Sequence, residues 1–353
     1  PATGEKPLHY AADNLPAGLT IDPTTGIITG TVTEPGSYQA NITVSNTHCT
    51  ATRKLRIKVG DEICLTPPMG WNSWYCHSEL ISEEAIRKTV RAMVDMGLID
   101  HGWTYINIDD CWQGVRGGEH NAIQPNERFN DMKGMCDYLH SLGLKAGIYS
   151  TPWIGTYAGF IGGSAPNEHG DYSKYYNPEE KRLQPHQFFG RAPGTRKKRL
   201  RRVGSHWFFD RDAAQWADWG FDYVKVDWYP NDVPNTKRIY EDLLNCKRDI
   251  VLSLSNQTPR KNTAELSRYA NCWRTTGDIG DNWRSISRIG FGQKKWLSYT
   301  RPGHWNDPDM LQMGLLGIPN RQNKDFQPTH LSPDEQYTQM SLWCLLSAPL
   351  LLS

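Results

Sequence analysis

From Pro67 onward the chain alternates a short apolar strand, a loop and an amphipathic helix. It keeps this up to residue 352, which leaves few folds open. Residues 69–75 read as an aromatic-rich strand. Ser82 then caps a helix over 83–96, with Ile86, Val90, Met93 and Val94 on one face and Gly97 as its stop. Further strands are predicted at 103–110, 145–150, 223–229, 250–255, 272–278, 304–310 and 348–352. Helices are predicted between them at 131–142, 210–219, 236–246, 263–270, 282–289 and 334–347. Eight such alternations predict an α/β fold of the (β/α)8 TIM-barrel type, whose site is built by loops at the C-terminal ends of the strands. An open doubly wound sheet would carry a glycine-rich phosphate loop after its first strand, and Gly70-Trp71-Asn72 is not one. No helical segment follows the last strand, so the barrel is expected to be truncated near strand eight, with the natural chain continuing beyond Ser353.

Residues 1–60 differ in texture. Pro and Gly turn signals punctuate short β-type runs at 15–23 and 26–32. Tyr38, Ala40, Ile42 and Val44 then alternate with polar residues, as do Leu55, Ile57 and Val59 after a turn at Asn46-Thr47. This predicts a small all-β, immunoglobulin-like sandwich at 1–60 and a catalytic barrel at 61–353. The 353 residues suit one barrel plus one module. The first module holds no titratable cluster and is expected to space or dock rather than catalyse.

Within the barrel, charge gathers where strands end. Asp109 and Asp110 end the second strand, Lys225 and Asp227 the fourth, Arg274 and Asp278 the sixth, and Asp307 and Asp309 the seventh. In a barrel these tips converge on one pocket. Lys225 and Asp227 lie two residues apart and share a face of their strand, so the lysine is expected to keep the aspartate ionised. Several carboxylates could mean a divalent metal or glycoside hydrolysis. Lys225 and Arg274 among the acids speak against a metal, and one ionised plus one protonated carboxyl across a sugar favours the glycosidase. No cofactor and no metal are expected. The 14 Trp and 16 Tyr provide stacking surface for a carbohydrate. The balance of 39 Lys and Arg against 38 Asp and Glu gives no reason to expect nucleic acid, and no apolar run is long enough to span a membrane. Eight scattered cysteines without a CxxC pair argue against zinc. Oligomeric state is not encoded in these features.

Six blocks carry a family resemblance: Pro68-Met69-Gly70-Trp71-Asn72-Ser73-Trp74, Tyr105 through Trp112, Lys145 through Ser150, Tyr223 through Asp227, Trp273-Arg274 through Asp278, and Gly303 through Met310. In this order, across residues 66–353, they resemble the retaining α-galactosidase and α-N-acetylgalactosaminidase family of glycoside hydrolases. The run LPAGLTIDPTTGIITGT resembles an immunoglobulin-like repeat of bacterial surface and secreted proteins. The resemblance implies an exo-glycosidase acting on terminal α-linked galactose-type sugars of an oligosaccharide or glycan, in a secreted or periplasmic protein. It implies Asp227 as nucleophile and Asp278 as acid/base, the latter keeping its proton through burial or nearby negative charge. Asp109 and Asp110 would hold O6 and the axial O4, Lys225 O3 and Arg274 O2. Trp71 and Trp74 would wall the pocket, and Tyr149 and Asp309 complete the expected sugar-binding set.

Three departures stand out. Where α-galactosidases carry Cys-Glu-Trp on strand five, this chain has Leu254-Ser255-Asn256. Ser255 resembles the N-acetylgalactosaminidase branch, where a smaller side chain leaves room for an acetamido group; that Ser255 merely ends a strand, or that a loop residue replaces the glutamate, stays equally open. Asp109, in place of the glutamate of the β-L-arabinopyranosidase branch, favours a hexose; that branch, a glucan-active relative and a non-catalytic carbohydrate-binding protein remain alternatives. Tyr229 stands where the family has a cysteine, so the usual bridge from the third loop is absent, while Cys76 and Cys111 could pair in an exported protein. Finally, residues 151–209 form an unusually long third loop containing Arg191 and the basic run 196–202. That run would either grip a sulfated or uronic-acid-bearing glycan or form solvated surface, the commoner fate.

Overall fold

The structure is a computed structural model and describes residues 2–184, 200–317 and 326–353. It comprises two compact units, Pro1–Ile63 with Met93–Trp103, and Cys64–Ala92 with Thr104–Ser353.

In the first unit, strands His9–Asp13, Gly36–Ser45 and Thr50–Val59 form an antiparallel sheet, and Leu19–Ile21 pairs with Ile28–Gly30 in a second. The alternation seen in the sequence sets the register: Tyr38 lies opposite Ile57 and Ala40 opposite Leu55. The turn between these strands closes on the Asn46 side chain, whose oxygen accepts from the amides of His48 and Cys49. Strand His9–Asp13 was not visible in the sequence, because His-Tyr-Ala-Ala-Asp offers too little apolar contrast.

In the second unit eight parallel strands are assembled: β1 Met69–Asn72, β2 Tyr105–Asn107, β3 Lys145–Ser150, β4 Tyr223–Trp228, β5 Val251–Asn256, β6 Cys272–Arg274, β7 Trp305–Asp307 and β8 Leu350–Leu352. They run β8-β1-β2-β3-β4-β5-β6-β7. Just past β7, the Leu311 amide donates to the Leu351 carbonyl at 2.9 Å and Leu311 bridges Leu352 in parallel, closing the ring. This is the (β/α)8 barrel expected from the alternation.

The helices are α1 Glu83–Asp95, α2 Met132–Ser141, α3 Phe209–Trp219, α4 Val233–Asn245, α5 Thr263–Leu266, α6 Trp283–Phe291 and α7 Pro333–Leu345. Local chemistry starts and stops them. Asp131, Asp232 and Asn282 cap α2, α4 and α6 through their side chains, and Ser332 with Glu335 forms a capping box on α7. Gly220, at φ +94°, ends α3. Gly70 in β1 has a packing reason: a Cβ there would sit 2.0 Å from the Tyr105 carbonyl oxygen.

Strands β2, β6 and β7 are shorter than the sequence suggested. Their charged ends, Asp109-Asp110, Asp278 and Asp309, lie on turns just beyond them. The aspartates make those turns themselves: Asp110 accepts from the Cys111 amide, and Asp309, at φ +85°, accepts from the Met310 amide. The long third loop is folded where it is described. Trp153 bridges Val203, Ser164 pairs with Trp207, and Arg116 grips Asp212, Tyr172 and the Gly162 carbonyl beneath it. Arg191 and residues 196–199 of the basic run lie outside the described residues.

Candidate active site

Parallel register builds the site in layers. Tyr149 of β3 lies beside Lys225 of β4 and Ser253 of β5; one step higher, Asp227 lies beside Ser255; further round, Arg274 lies beside Asp307. Neighbouring residues in parallel strands point the same way, so this alignment gathers side chains 149, 225, 227, 253, 255 and 274 at one end of the barrel. Val224 and Val226 face the opposite way and are fully buried.

Asp109 holds one side. Its Oδ2 accepts from Lys225 Nζ at 2.7 Å and from Asn72 Nδ2 at 2.9 Å, and its Oδ1 accepts from the Asp110 amide. Burial works against the Lys225 ammonium, but Asp109 and then Asp227 outweigh it and hold its pKa above the usual value. Asp110 is buried and accepts from the Ala158 amide of the third loop at 3.1 Å. Burial pushes its pKa up to about 6 against hydrogen bonds from Thr156 and Ala158.

Asp227 does not match the expectation drawn from its neighbour. Its pKa is pushed up to about 7, chiefly by burial, with Asp278 and Asp109 adding to the rise while Lys225 and the Tyr149 hydroxyl oppose it. The ammonium is hydrogen-bonded to Asp109 rather than to Asp227, so it offsets only part of the desolvation. Tyr149 donates to Asp227 Oδ2 at 3.0 Å, and Oδ1, buried, has no hydrogen-bond partner among the described residues.

Asp278 differs too. Its side chain is 68% exposed, so burial does not shield it, and its partner is Arg274 at 3.2 Å rather than another carboxylate. Arg274 is itself buried and reaches Asp309 at 2.6 Å. Both Asp309 oxygens are engaged, Oδ1 by the Met310 amide and Oδ2 by the Ile279 amide and Arg274. Asp309 therefore orients Arg274 and the Asp278 turn. Burial pushes its pKa up to about 6 despite Arg274.

Trp71 is buried, with its indole nitrogen 3.4 Å from Cys76 Sγ, and Trp74 is half-buried in the single-turn helix Trp74–His77. Cys76 and Cys111 are free thiols, so the bridge weighed for them is not formed; Cys76 instead accepts from Trp71. Ser255 is buried and, with Ser253, Lys225, Arg274 and Asp307, lines a small cavity that Tyr223, Met310 and Leu351 help to close. Among the described residues, no group of three or more His, Cys, Asp and Glu is placed to hold a metal ion, and no helix is long and apolar enough to cross a membrane.

Three residues near Asp227 were missed as site residues: Tyr157 and Arg201 from the third loop, and Asn256 at the end of β5. Asn256 Nδ2 lies 3.4 Å from the Tyr157 hydroxyl, and the Arg201 guanidinium lies 4.5 Å from the Tyr157 ring centre. The signal available was an aromatic-rich stretch, 153–160, and a basic run in one long loop.

Comparison with known proteins identifies the family. The family model described as alpha galactosidase A matches residues 66–175 and 197–353, and an Ig-domain model matches residues 2–60. Alpha-galactosidase 2 of Arabidopsis thaliana is 32% identical over 88% of this chain and 66% of its own length. A crystal structure from Bacteroides fragilis, described as a candidate α-galactosidase, is 29% identical with a TM-score of 0.80, over 99% of this chain and 68% of its own. A β-L-arabinopyranosidase from Geobacillus stearothermophilus is 27% identical with a TM-score of 0.64, over 82% of this chain and 72% of its own. The chain spans 57–66% of the length of the first curated relatives it matches.

Proposed function

Since the chain belongs to the alpha galactosidase A family of glycoside hydrolases, we propose that it removes terminal α-linked galactose-type residues with retention of configuration. The observation that carries the proposal is Asp227: a desolvated carboxyl at the tip of β4, with one oxygen oriented by Tyr149 and the other unengaged, under the electrostatic influence of Asp278. In the first step the ionised Asp227 attacks the anomeric carbon as the glycosidic C–O bond breaks, and Asp278 gives its proton to the departing oxygen. In the second, Asp278 takes a proton from water, which attacks the same carbon and releases Asp227. Asp109, Asp110, Lys225 and Arg274 supply the charged and hydrogen-bonding groups that hold the sugar, and Trp71 and Trp74 its apolar walls. The proposed substrate is an oligosaccharide or glycan, met outside the cytoplasm; the run at 15–31, which resembles a repeat of bacterial surface and secreted proteins, supports that location.

Hydrolysis of aryl α-galactoside, α-N-acetylgalactosaminide and β-L-arabinopyranoside, measured side by side, tests the proposal. Preferred turnover of the α-galactoside, abolished by Asp227→Asn in a folded protein, is expected. An inert wild type, or an active Asp227→Asn, overturns it. A second reading, α-N-acetylgalactosaminidase, is favoured by Ser255 and Ser253, whose small side chains line the cavity beside Arg274.

A further inference from the structure

The third loop brings a cation to the mouth of the site. Residues 153–155 and 200–203 run antiparallel: Trp153 bridges Val203, the Ile154 amide donates to the Arg202 carbonyl at 2.9 Å, and the Gly155 amide to the Leu200 carbonyl at 3.1 Å. Arg201 is thereby fixed between two backbone hydrogen bonds. Its guanidinium stacks over Tyr157, which packs in turn against Trp153 with ring centres 5.4 Å apart and meets Asn256 at its hydroxyl.

The cluster stands beside the reacting groups. The pKa of Tyr157 is raised first by burial and then by Asp227, with a smaller contribution from Asp278. That of Arg201 is lowered by burial, against the pull of Tyr157, Asp227 and Tyr149. Asn256 pairs with Trp228 one step beyond Asp227 and Ser255, so the cluster borders the rim at Asp227, where a bound sugar would meet its leaving group.

Arg201 is also incompletely partnered. Its Nη2 is buried and makes no hydrogen bond among the described residues. A buried guanidinium N–H without an acceptor is costly, and a ligand that supplies one recovers the cost. The fork of a guanidinium matches carboxylate and sulfate oxygens, and its planar face suits a stacked aromatic such as Tyr157. Without a cation here, Asp227 and Asp278 would repel an acidic leaving group.

We propose that Arg201, with Tyr157 and Asn256, forms a leaving-group subsite that selects aglycones bearing a carboxylate or sulfate. This rests on the α-galactosidase reading and assigns its substrate class: an α-galactosyl unit attached to an acidic partner. Arg201 is the specificity-determining residue.

The experiment compares kcat/KM for four aryl α-galactosides on the whole chain: carboxyphenyl against its neutral carbamoylphenyl counterpart, and sulfophenyl against sulfamoylphenyl. The wild type is expected to prefer at least one acidic member over its neutral twin by about tenfold, the worth of one charge-assisted hydrogen bond; which pair shows the preference separates carboxylate from sulfate. Arg201→Gln should bring the acidic-to-neutral ratio within each pair to about one, and Arg201→Lys should restore part of the preference. Thermal melting of each variant confirms folding. Equal rates within both wild-type pairs, with the neutral members still cleaved, overturn the inference and leave the proposed activity standing. A uniform loss in Arg201→Gln with a shifted acid limb also overturns it, assigning Arg201 to Asp227 instead. If none of the four is cleaved, the proposed activity falls and takes this inference with it.

Discussion

Replacing Tyr149 by phenylalanine tests how Asp227, the proposed nucleophile, is kept ionised. The Tyr149 hydroxyl, 3.0 Å from Oδ2, makes the one side-chain hydrogen bond to Asp227 among the described residues, and it favours the ionised carboxyl. Hydrogen bonds to charged groups contribute about 1.5–3 kcal/mol, and each pKa unit corresponds to about 1.4 kcal/mol, so the loss should raise the Asp227 pKa by roughly 1–2 units. Starting from about 7, the ionised fraction at pH 6 would drop by about 10–100-fold. The sign follows from the chemistry: a carboxyl that has lost support for its charge protonates at higher pH, so the acid limb of kcat/KM moves up. The assay is kcat/KM for an aryl α-galactoside from acidic to mildly alkaline pH, with melting curves to confirm folding. A uniform drop in rate with the acid limb unmoved would refute the reasoning, since it would mean that Tyr149 positions substrate without acting on the Asp227 charge.

The same carboxyl makes a stability prediction. Because its folded pKa of about 7 lies above its ordinary 3.8, the folded state resists ionisation: the penalty is absent below pH 4, grows as pH rises and is complete above pH 7. Asp227→Asn should therefore melt at the same temperature as wild type in acid and higher at neutral pH; calorimetry showing the reverse trend would sink this. Arg116→Gln strips a buried pair in which Arg116 reaches both Asp212 oxygens, at 2.6 and 3.0 Å, and should destabilise by about 3–5 kcal/mol in urea titration. A change below about 1 kcal/mol would show that water or another donor takes over. Asp309→Asn removes the 2.6 Å partner of Arg274 and should raise KM by about tenfold or more with the fold intact, as expected when a sugar-binding cation loses its orientation. An unchanged KM would separate Arg274 from sugar binding.

The barrel was legible because its signals are local. Apolar periodicity, a cap such as Ser82 and a stop such as Gly97 need only a few neighbouring residues, and each marks its element wherever the rest of the chain goes. The positions of Asp109, Lys225, Asp227, Arg274 and Asp309 at one end followed from the same pattern, since strand tips of a parallel barrel share a rim. Strand His9–Asp13 was hidden because its pairing with Gly36–Ser45, not its own composition, makes it a strand.

What charge does at that rim was decided only by the tertiary structure. Two residues of separation predicted that Lys225 would hold Asp227 ionised, yet the lysine is drawn to Asp109, 116 residues away in sequence, and burial outweighs it. Asp278 was expected to keep its proton through burial or nearby negative charge, and its side chain is exposed beside Arg274. Arg201 belonged to a basic run that would either grip an acidic glycan or form solvated surface, and the fold lays it on Tyr157, near Asp227. Periodicity depends on nearest neighbours and can be read along the chain. Desolvation and Coulomb fields sum over everything within several ångströms, and that set exists only once the chain has closed on itself.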